Sequence, residues 1–275
     1  MKDKKLDTMK QIVFTDLDGT LLDPITYSYE RSLVGINRLK QNGIPIIFCS
    51  AKTRAEQEVY RREMEVSHPF IVENGGAVFI PHGYFQLPFE HHKVIDDLLI
   101  IELGDSHKEI KKLLDKIKKE GHFHFKEFSD MSAEEVALES GLDIESAKLA
   151  KQREYDETVK FEVTGDELDT ALERIKQAGL NWTHGGRFYD IMGNNDKGKA
   201  VRIVTDLYCK MWGEIKTIGL GDSLNDLPML SAVDIPILVQ KADYSWESID
   251  LPHLHRVQGV GPEGWSRAIQ ELFGG

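Results

Sequence analysis

Five short, mostly apolar runs separated by helical stretches constrain this chain more than any other feature. They are "QIVFT" (11–15), "IPIIFC" (44–49), "PFIV" (69–72), "IKTIGL" (215–220) and "IPILV" (235–239). Strands that read as continuous apolar runs belong to a sheet covered on both faces, and the helices between them make that sheet parallel. Leu33, Ile36 and Leu39 recur at helical spacing before Gly43, and further helices are predicted over 53–66, 197–212, 224–233 and 262–273. The expected core is a doubly wound α/β sheet.

The middle of the chain follows a different pattern. "VFI" and "YFQLP" flank the "PHG" turn as a predicted hairpin, and a helix runs from Ser106 to Glu120 with Ser106 as N-cap and Gly121 as stop. An acidic helical stretch (132–152), the strand "TVKFEVT", a helix over 166–178 and a hairpin around Gly185 and Gly186 follow. This pattern predicts a small α+β cap domain over 83–192, inserted between core segments 1–82 and 193–275.

Ligands of open parallel sheets bind at the carboxyl ends of the strands. Four polar signals fall at or just beside such ends: Asp16 and Asp18 in "DLDGT", Ser50, Lys197 in "GNNDKGKA" opening a helix after the insertion, and Asp222, Ser223, Asn225 and Asp226 in "GDSLND". Adjacent carboxylates at the end of a buried strand repel and lose hydration, so a compensating charge is required. Carboxylates converging from separate strands make a hard oxygen site suited to Mg²⁺. A hydroxyl (Ser50) and an ammonium (Lys197) are what the remaining phosphate oxygens need. The predicted chemistry is metal-assisted phosphoryl transfer.

The formal net charge of −12 argues against nucleic acid or an anionic membrane as partner. No apolar run reaches the length of a membrane span, and "MKDKKLDTMK" lacks the apolar core of a signal peptide, so a cytoplasmic location is expected. Two cysteines, Cys49 and Cys209, make no disulfide framework. "GNNDKGK" has Walker A spacing, but Ala200 stands where Ser or Thr should follow. The pairs His122/His124 and His253/His255 lack a third metal ligand in range. Nothing in the pattern specifies an oligomeric state.

In this order, "DLDGT", Ser50, Lys197 and "GDSLND" resemble the four motifs of the haloacid dehalogenase superfamily of phosphohydrolases, and the insertion resembles the cap of its Cof-like branch. "SAKTRAEQEVYRREM", "PFIVENGGAVFIP", "GGRFYDIMGNNDKGKAV", "GDSLNDLPMLSAVDIPILV" and "GPEGW" are similar more narrowly to the mannosyl-3-phosphoglycerate phosphatase family. One departure is Asp190 after "GGRFY", where the resemblance leads one to expect histidine.

The resemblance implies Asp16 as nucleophile and Asp18 as general acid, then base. It implies Asp16, the main-chain carbonyl of Asp18, and Asp222 as Mg²⁺ ligands, and Ser50 and Lys197 as phosphate ligands. Asn225 and Asp226 would orient the site or assist phosphate and metal binding, with Ser223 beside them. The substrate would be a phosphorylated glycoside. Glu73, Asn74, Arg153, Gly186 and Arg187 are candidate contacts to its sugar and carboxylate, although the glycines of "GGR" also suit a plain hairpin turn. A related sugar-phosphate phosphatase of broader specificity, a phosphomannomutase-like transferase and a retired phosphate- or sugar-sensing module are the rival readings.

Overall fold

The computed structural model describes residues 9–121 and 123–274; His122, one of the histidines noted above, lies outside them. Strand β1 (Lys10–Thr15) leads through a loop to α1 (Leu33–Gln41), β2 (Ile46–Phe48) and α2 (Arg54–Glu63). Thr53 caps α2, its side chain accepting from the Glu56 amide while Glu56 reaches back to the Thr53 N–H. Then come β3 (Phe70–Val72), β4 (Ala77–Pro81), β5 (Lys93–Ile95) and β6 (Leu98–Glu102), which form an antiparallel sheet in the order β3-β4-β6-β5. This corrects two expectations. "PFIV" is not a full strand of the parallel sheet; it touches β2 through a single parallel bridge, Cys49 to Ile71, and pairs along its length with β4. The hairpin partner of "VFI" is Leu98–Glu102 rather than "YFQLP". Phe85 is drawn instead into an apolar cluster, with its ring 5.0 Å from that of Tyr208.

The next stretch contains α3 (His107–Gly121), β7 (Phe125–Glu127), α4 (Ala133–Ser140), α5 (Ile144–Ala150), β8 (Asp156–Phe161), α6 (Asp166–Gln177), β9 (Asn181–His184) and β10 (Tyr189–Met192). Its four strands form one antiparallel sheet, ordered β7-β8-β10-β9. One face is packed by Ile110, Leu114 and Ile117 of α3 and by Leu172 and Ile175 of α6. The predicted acidic helical stretch is made of two helices, separated at Gly141 in the left-handed region (φ 81°).

The chain then runs through α7 (Lys197–Trp212), β11 (Ile215–Gly221), α8 (Leu227–Leu230), β12 (Ile235–Gln240), β13 (His255–Val260) and α9 (Pro262–Phe273). All pairings in the central sheet are parallel, in the order β13-β12-β11-β1-β2. Alternation along β1 covers both faces. Val13 packs with Ile36, Leu39, Trp265 and Ile269 of α1 and α9, whereas Ile12 and Phe14 pack with Val201, Val204 and Leu207 of α7. Among the described residues no helix is long and apolar enough to cross a membrane.

Candidate active site

β1 and β11 lie side by side in the middle of the sheet, so Asp16 and Asp222 emerge together at their carboxyl ends. Between them the backbone has little room. A Cβ on Gly19 (φ +75°) would come 2.8 Å from Asp222 Oδ2, so glycine is needed both for the turn and for the approach. Lys197 opens α7 with Asp196 as its N-cap, whose side chain accepts from the Lys199 amide. Gly75 (φ +87°) holds the loop after β3 against that cap, since its Cβ would meet the Asp196 carbonyl oxygen at 2.2 Å.

Lys197 is 1% exposed, with Nζ 2.7 Å from both Asp16 Oδ1 and Asp226 Oδ1. The other oxygen of Asp226 accepts from the amides of Asp222 (3.0 Å) and Ser223 (3.2 Å), fixing the loop after β11. Thr20 donates its hydroxyl to Asp222 Oδ1 at 3.0 Å. Carboxylate oxygens of Asp16, Asp222 and Asp226 all lie within 4.8 Å of one another. Burial pushes the Asp16 carboxyl up to about 7, with Lys197 opposing the rise and Asp226 adding to it. Burial, then Asp226 and Asp16, raises Asp222 well above the usual carboxylate range. One ammonium does not neutralise three crowded carboxylates. A hard divalent cation fits this donor set, and the raised carboxyl groups are the sign that charge is wanted there.

Asp18, two residues along, faces elsewhere. Its Oδ2 lies 3.0 Å from Lys52 Nζ, which also lies 3.2 Å from Glu56 Oε1. The Asp18 side chain is 44% exposed, but into a walled cleft rather than open solvent. Loss of hydration there raises its carboxyl pKa, and Lys52 opposes the rise. Ser50, at the end of β2, is buried and lines the same cleft, as do Ser223 and Asn225, which are joined by a 2.6 Å hydrogen bond. The cleft encloses about 170 Å³.

Its opposite wall comes from the β7-β8-β10-β9 unit and the helices α4 and α5: Phe128, Leu142, Ala150, Arg153, Thr158, Gly185, Phe188 and Asp190. Arg153 is held by Asp156 (Nε to Oδ1, 2.5 Å), by the Ala51 carbonyl (Nη2, 2.9 Å) and by Asp190 (Nη2 to Oδ1, 3.6 Å). Its Nη1 makes no hydrogen bond among the described residues. Asp190 also accepts from Thr158 Oγ1 (2.8 Å) and Asn74 Nδ2 (3.0 Å), tying the wall to the loop after β3.

The remaining sequence candidates lie off the cleft. Glu73 is fully buried, and its carboxylate accepts from the amides of Glu154, Tyr155 and Asp156 at 2.6–3.0 Å. It clasps the segment before β8 and offers nothing to a sugar. Asn74 donates to Asp190. Arg187 caps the C-terminus of α4, donating to the carbonyls of Glu139 (3.1 Å) and Ser140 (2.5 Å). Gly186 is exposed at the β9–β10 turn with φ 118°, while its neighbour Gly185 reaches the cleft beside Asn225.

Lys52, Glu56 and Tyr27 of the cleft wall were not singled out by sequence. Lys52 stands only two residues past Ser50, which was a usable positional signal. Tyr27 has left-handed φ (57°) in a loop, and its hydroxyl donates to the Ser140 carbonyl at 3.1 Å.

Comparison with known proteins agrees with this geometry. The haloacid dehalogenase-like hydrolase family matches residues 13–249. A glucosyl-3-phosphoglycerate/mannosyl-3-phosphoglycerate phosphatase of Methanococcoides burtonii is 51% identical over 267 residues, 97% of this chain and 98% of the relative. A mannosyl-3-phosphoglycerate phosphatase of Pyrococcus horikoshii is 41% identical over 232 residues, 84% of this chain and 91% of that one. Among solved structures, a phosphatase of the haloalkanoate superfamily from Bacteroides thetaiotaomicron superposes with a TM-score of 0.65 at 17% identity, covering 97% of this chain and 96% of that one, which speaks to the fold. The chain is a member of the haloacid dehalogenase-like hydrolases, in the branch of phosphatases that these relatives define.

Proposed function

We propose that the protein hydrolyses a glycosyl-3-phosphoglycerate, the mannosyl form foremost, to the glycosylglycerate and phosphate through an aspartyl-phosphate on Asp16. The observation that supports this most is the pairing of features across one cleft. A floor of Asp16, Asp18, Asp222 and Ser50, with the buried Lys197 paired behind Asp16, faces a wall that carries an arginine with an uncommitted donor and two aromatic rings. A substrate bearing a phosphate, a carboxylate and a sugar matches those three features in turn.

The residues divide the work as follows. An Asp16 oxygen attacks phosphorus, and the bond from phosphorus to the glycerate oxygen breaks. Asp18 gives its proton to the departing oxygen, leaving a neutral alcohol. Asp18 then takes a proton from water, which attacks the aspartyl-phosphate, releases phosphate and restores the Asp16 carboxylate. Ser50 and Lys197 bind the phosphate oxygens, with Asn225 beside them. Mg²⁺ would be held by Asp16, Asp222 and the main-chain carbonyl of Asp18, with Asp226 anchoring the loop behind; when bound it offsets carboxylate repulsion and phosphate charge. Arg153 grips the carboxylate through its free Nη1. Phe128 and Phe188, whose rings are 5.0 Å apart and edge to face, bound the sugar.

Phosphate release tests this. Mannosyl-3-phosphoglycerate should be turned over with Mg²⁺ and not after chelation, and with kcat/KM about 10- to 100-fold above mannose 6-phosphate, the worth of one charge-assisted contact. Equal kcat/KM for the two substrates would refute the carboxylate-reading wall.

A further inference from the structure

Lys52 is a buried cation that the phosphate-binding set does not use. It is 5% exposed, lines the cleft and is bracketed by two carboxylates, Asp18 at 3.0 Å and Glu56 at 3.2 Å. Its ammonium also lies 5.1 Å from the ring centroid of Tyr27 and 5.8 Å from that of Tyr60. An ammonium has three donors, and here they meet two acids and an aromatic face. Glu56 is itself fixed, accepting from the Thr53 amide (2.9 Å) and hydroxyl (3.0 Å) in the first turn of α2. The cage is thus rigid on every side except one. Its open side is the Asp18 carboxylate, for which Lys52 is the ion-pair partner among the described residues. A short acid with no other anchor would sample several rotamers of similar energy.

We propose that Lys52 is a positioning residue for leaving-group protonation, holding the Asp18 carboxyl at the place in the cleft where the departing oxygen emerges. The inference rests on the reading of Asp18 as the proton donor. It adds the reason that a lysine is buried two residues past the phosphate-binding serine: the proton donor lies beside the nucleophile, and it must be kept from turning toward the Lys197 cluster. Tyr27 joins this cage to α4 through its bond to Ser140, so the wall opposite the floor also braces Lys52.

The test is leaving-group dependence. Mannosyl-3-phosphoglycerate expels an alkoxide that needs a proton, whereas p-nitrophenyl phosphate expels a stable phenolate that does not. Lys52→Met is expected to lower kcat/KM for the glycoside about 10²-fold, the scale of a misplaced catalytic group. For the aryl phosphate, kcat/KM should stay within about threefold; kcat/KM reports only the steps up to departure of the leaving group, so the later hydrolysis of the aspartyl-phosphate, in which Asp18 is the base for both substrates, does not enter the ratio. Lys52→Arg should restore most of the loss. Both rates come from one preparation, so their ratio does not depend on the folded fraction. If Lys52→Met yields no folded protein, Lys52→Gln supplies the same ratio. Equal losses on both substrates, or an unchanged ratio, would overturn the proposal by reducing Lys52 to a structural ion pair. Should the wild-type enzyme reject mannosyl-3-phosphoglycerate yet hydrolyse another alkyl phosphate, the substrate reading fails, and the Lys52 ratio is measured on that alkyl phosphate instead.

Discussion

Lys197 on one side of the cleft and Arg153 on the other are both buried cations held between two carboxylates, Asp16 and Asp226 in one case, Asp156 and Asp190 in the other. The partners of Lys197 stand at or just beyond the ends of β1 and β11, so the floor is fixed by the sheet itself. Arg153 is fixed across a junction. Its Nη2 donates to the Ala51 carbonyl past β2, Asp190 of β10 takes its bond from Asn74, and the segment just after Arg153 hangs on the Glu73 carboxylate. The floor is set by one sheet, whereas the opposite wall is held both by its own bonds and by contacts that cross to the segments after β2 and β3. In the proposed reaction, chemistry belongs to the first and selection to the second, and the residues of each should fail in different ways.

The largest effect is expected on the floor. Asp16→Asn should abolish turnover, a loss of at least about 10⁴-fold, because an amide is no nucleophile. Stability should hold or rise, since burial and Asp226 already disfavour the Asp16 carboxylate. Rapid acid quench should find phosphoryl on the wild-type chain at Asp16 and none on the variant. Normal turnover by the variant would remove the floor from the mechanism.

Glu73→Gln probes the clasp. The amide keeps one acceptor, and its NH₂ is set against backbone N–H donors, so about 1–3 kcal/mol of stability should be lost. Chemical denaturation reads this directly; an unchanged midpoint would mean that the clasp is not holding the wall.

Arg187→Ala should do least. Its guanidinium serves the end of α4, so at most about 1 kcal/mol of stability is at stake, and kcat/KM should stay within about threefold. A loss as large as that of an Arg153 variant would move the carboxylate contact to Arg187 and redraw the wall.

How much of this was legible in the sequence follows from the same contrast. Asp16, Ser50 and the 222–226 loop follow strands of the parallel sheet, where such a sheet must present its ligands, and Lys197 opens the helix that follows the inserted segment, so position and residue type together gave them away. Lys52 was missed because a lysine after a strand ordinarily reads as solvated, and only packing against Tyr27 and Tyr60 reveals its burial. Glu73 and Asn74 were read as sugar ligands; their partners, Glu154–Asp156 and Asp190, lie so far along the chain that no local spacing encodes them. "YFQLP" was read as a strand because it is apolar, but its Phe85 is fitted into a cluster formed with α7. The edge strand β13 went unread because "HRVQGV", half of it exposed, carries no continuous apolar run.

The division between floor and wall is tested most directly at Arg153. The measurement is kcat/KM for mannosyl-3-phosphoglycerate divided by kcat/KM for mannose 6-phosphate, in the wild-type enzyme and in Arg153→Ala and Arg153→Lys, each ratio taken on one preparation so that any loss of folded protein cancels. The account predicts that Arg153→Ala lowers the ratio about 10- to 100-fold, and that lysine, which keeps the charge without the planar fork, restores only part of it. A ratio that stays at the wild-type value in both variants, whatever happens to the absolute rates, would contradict it.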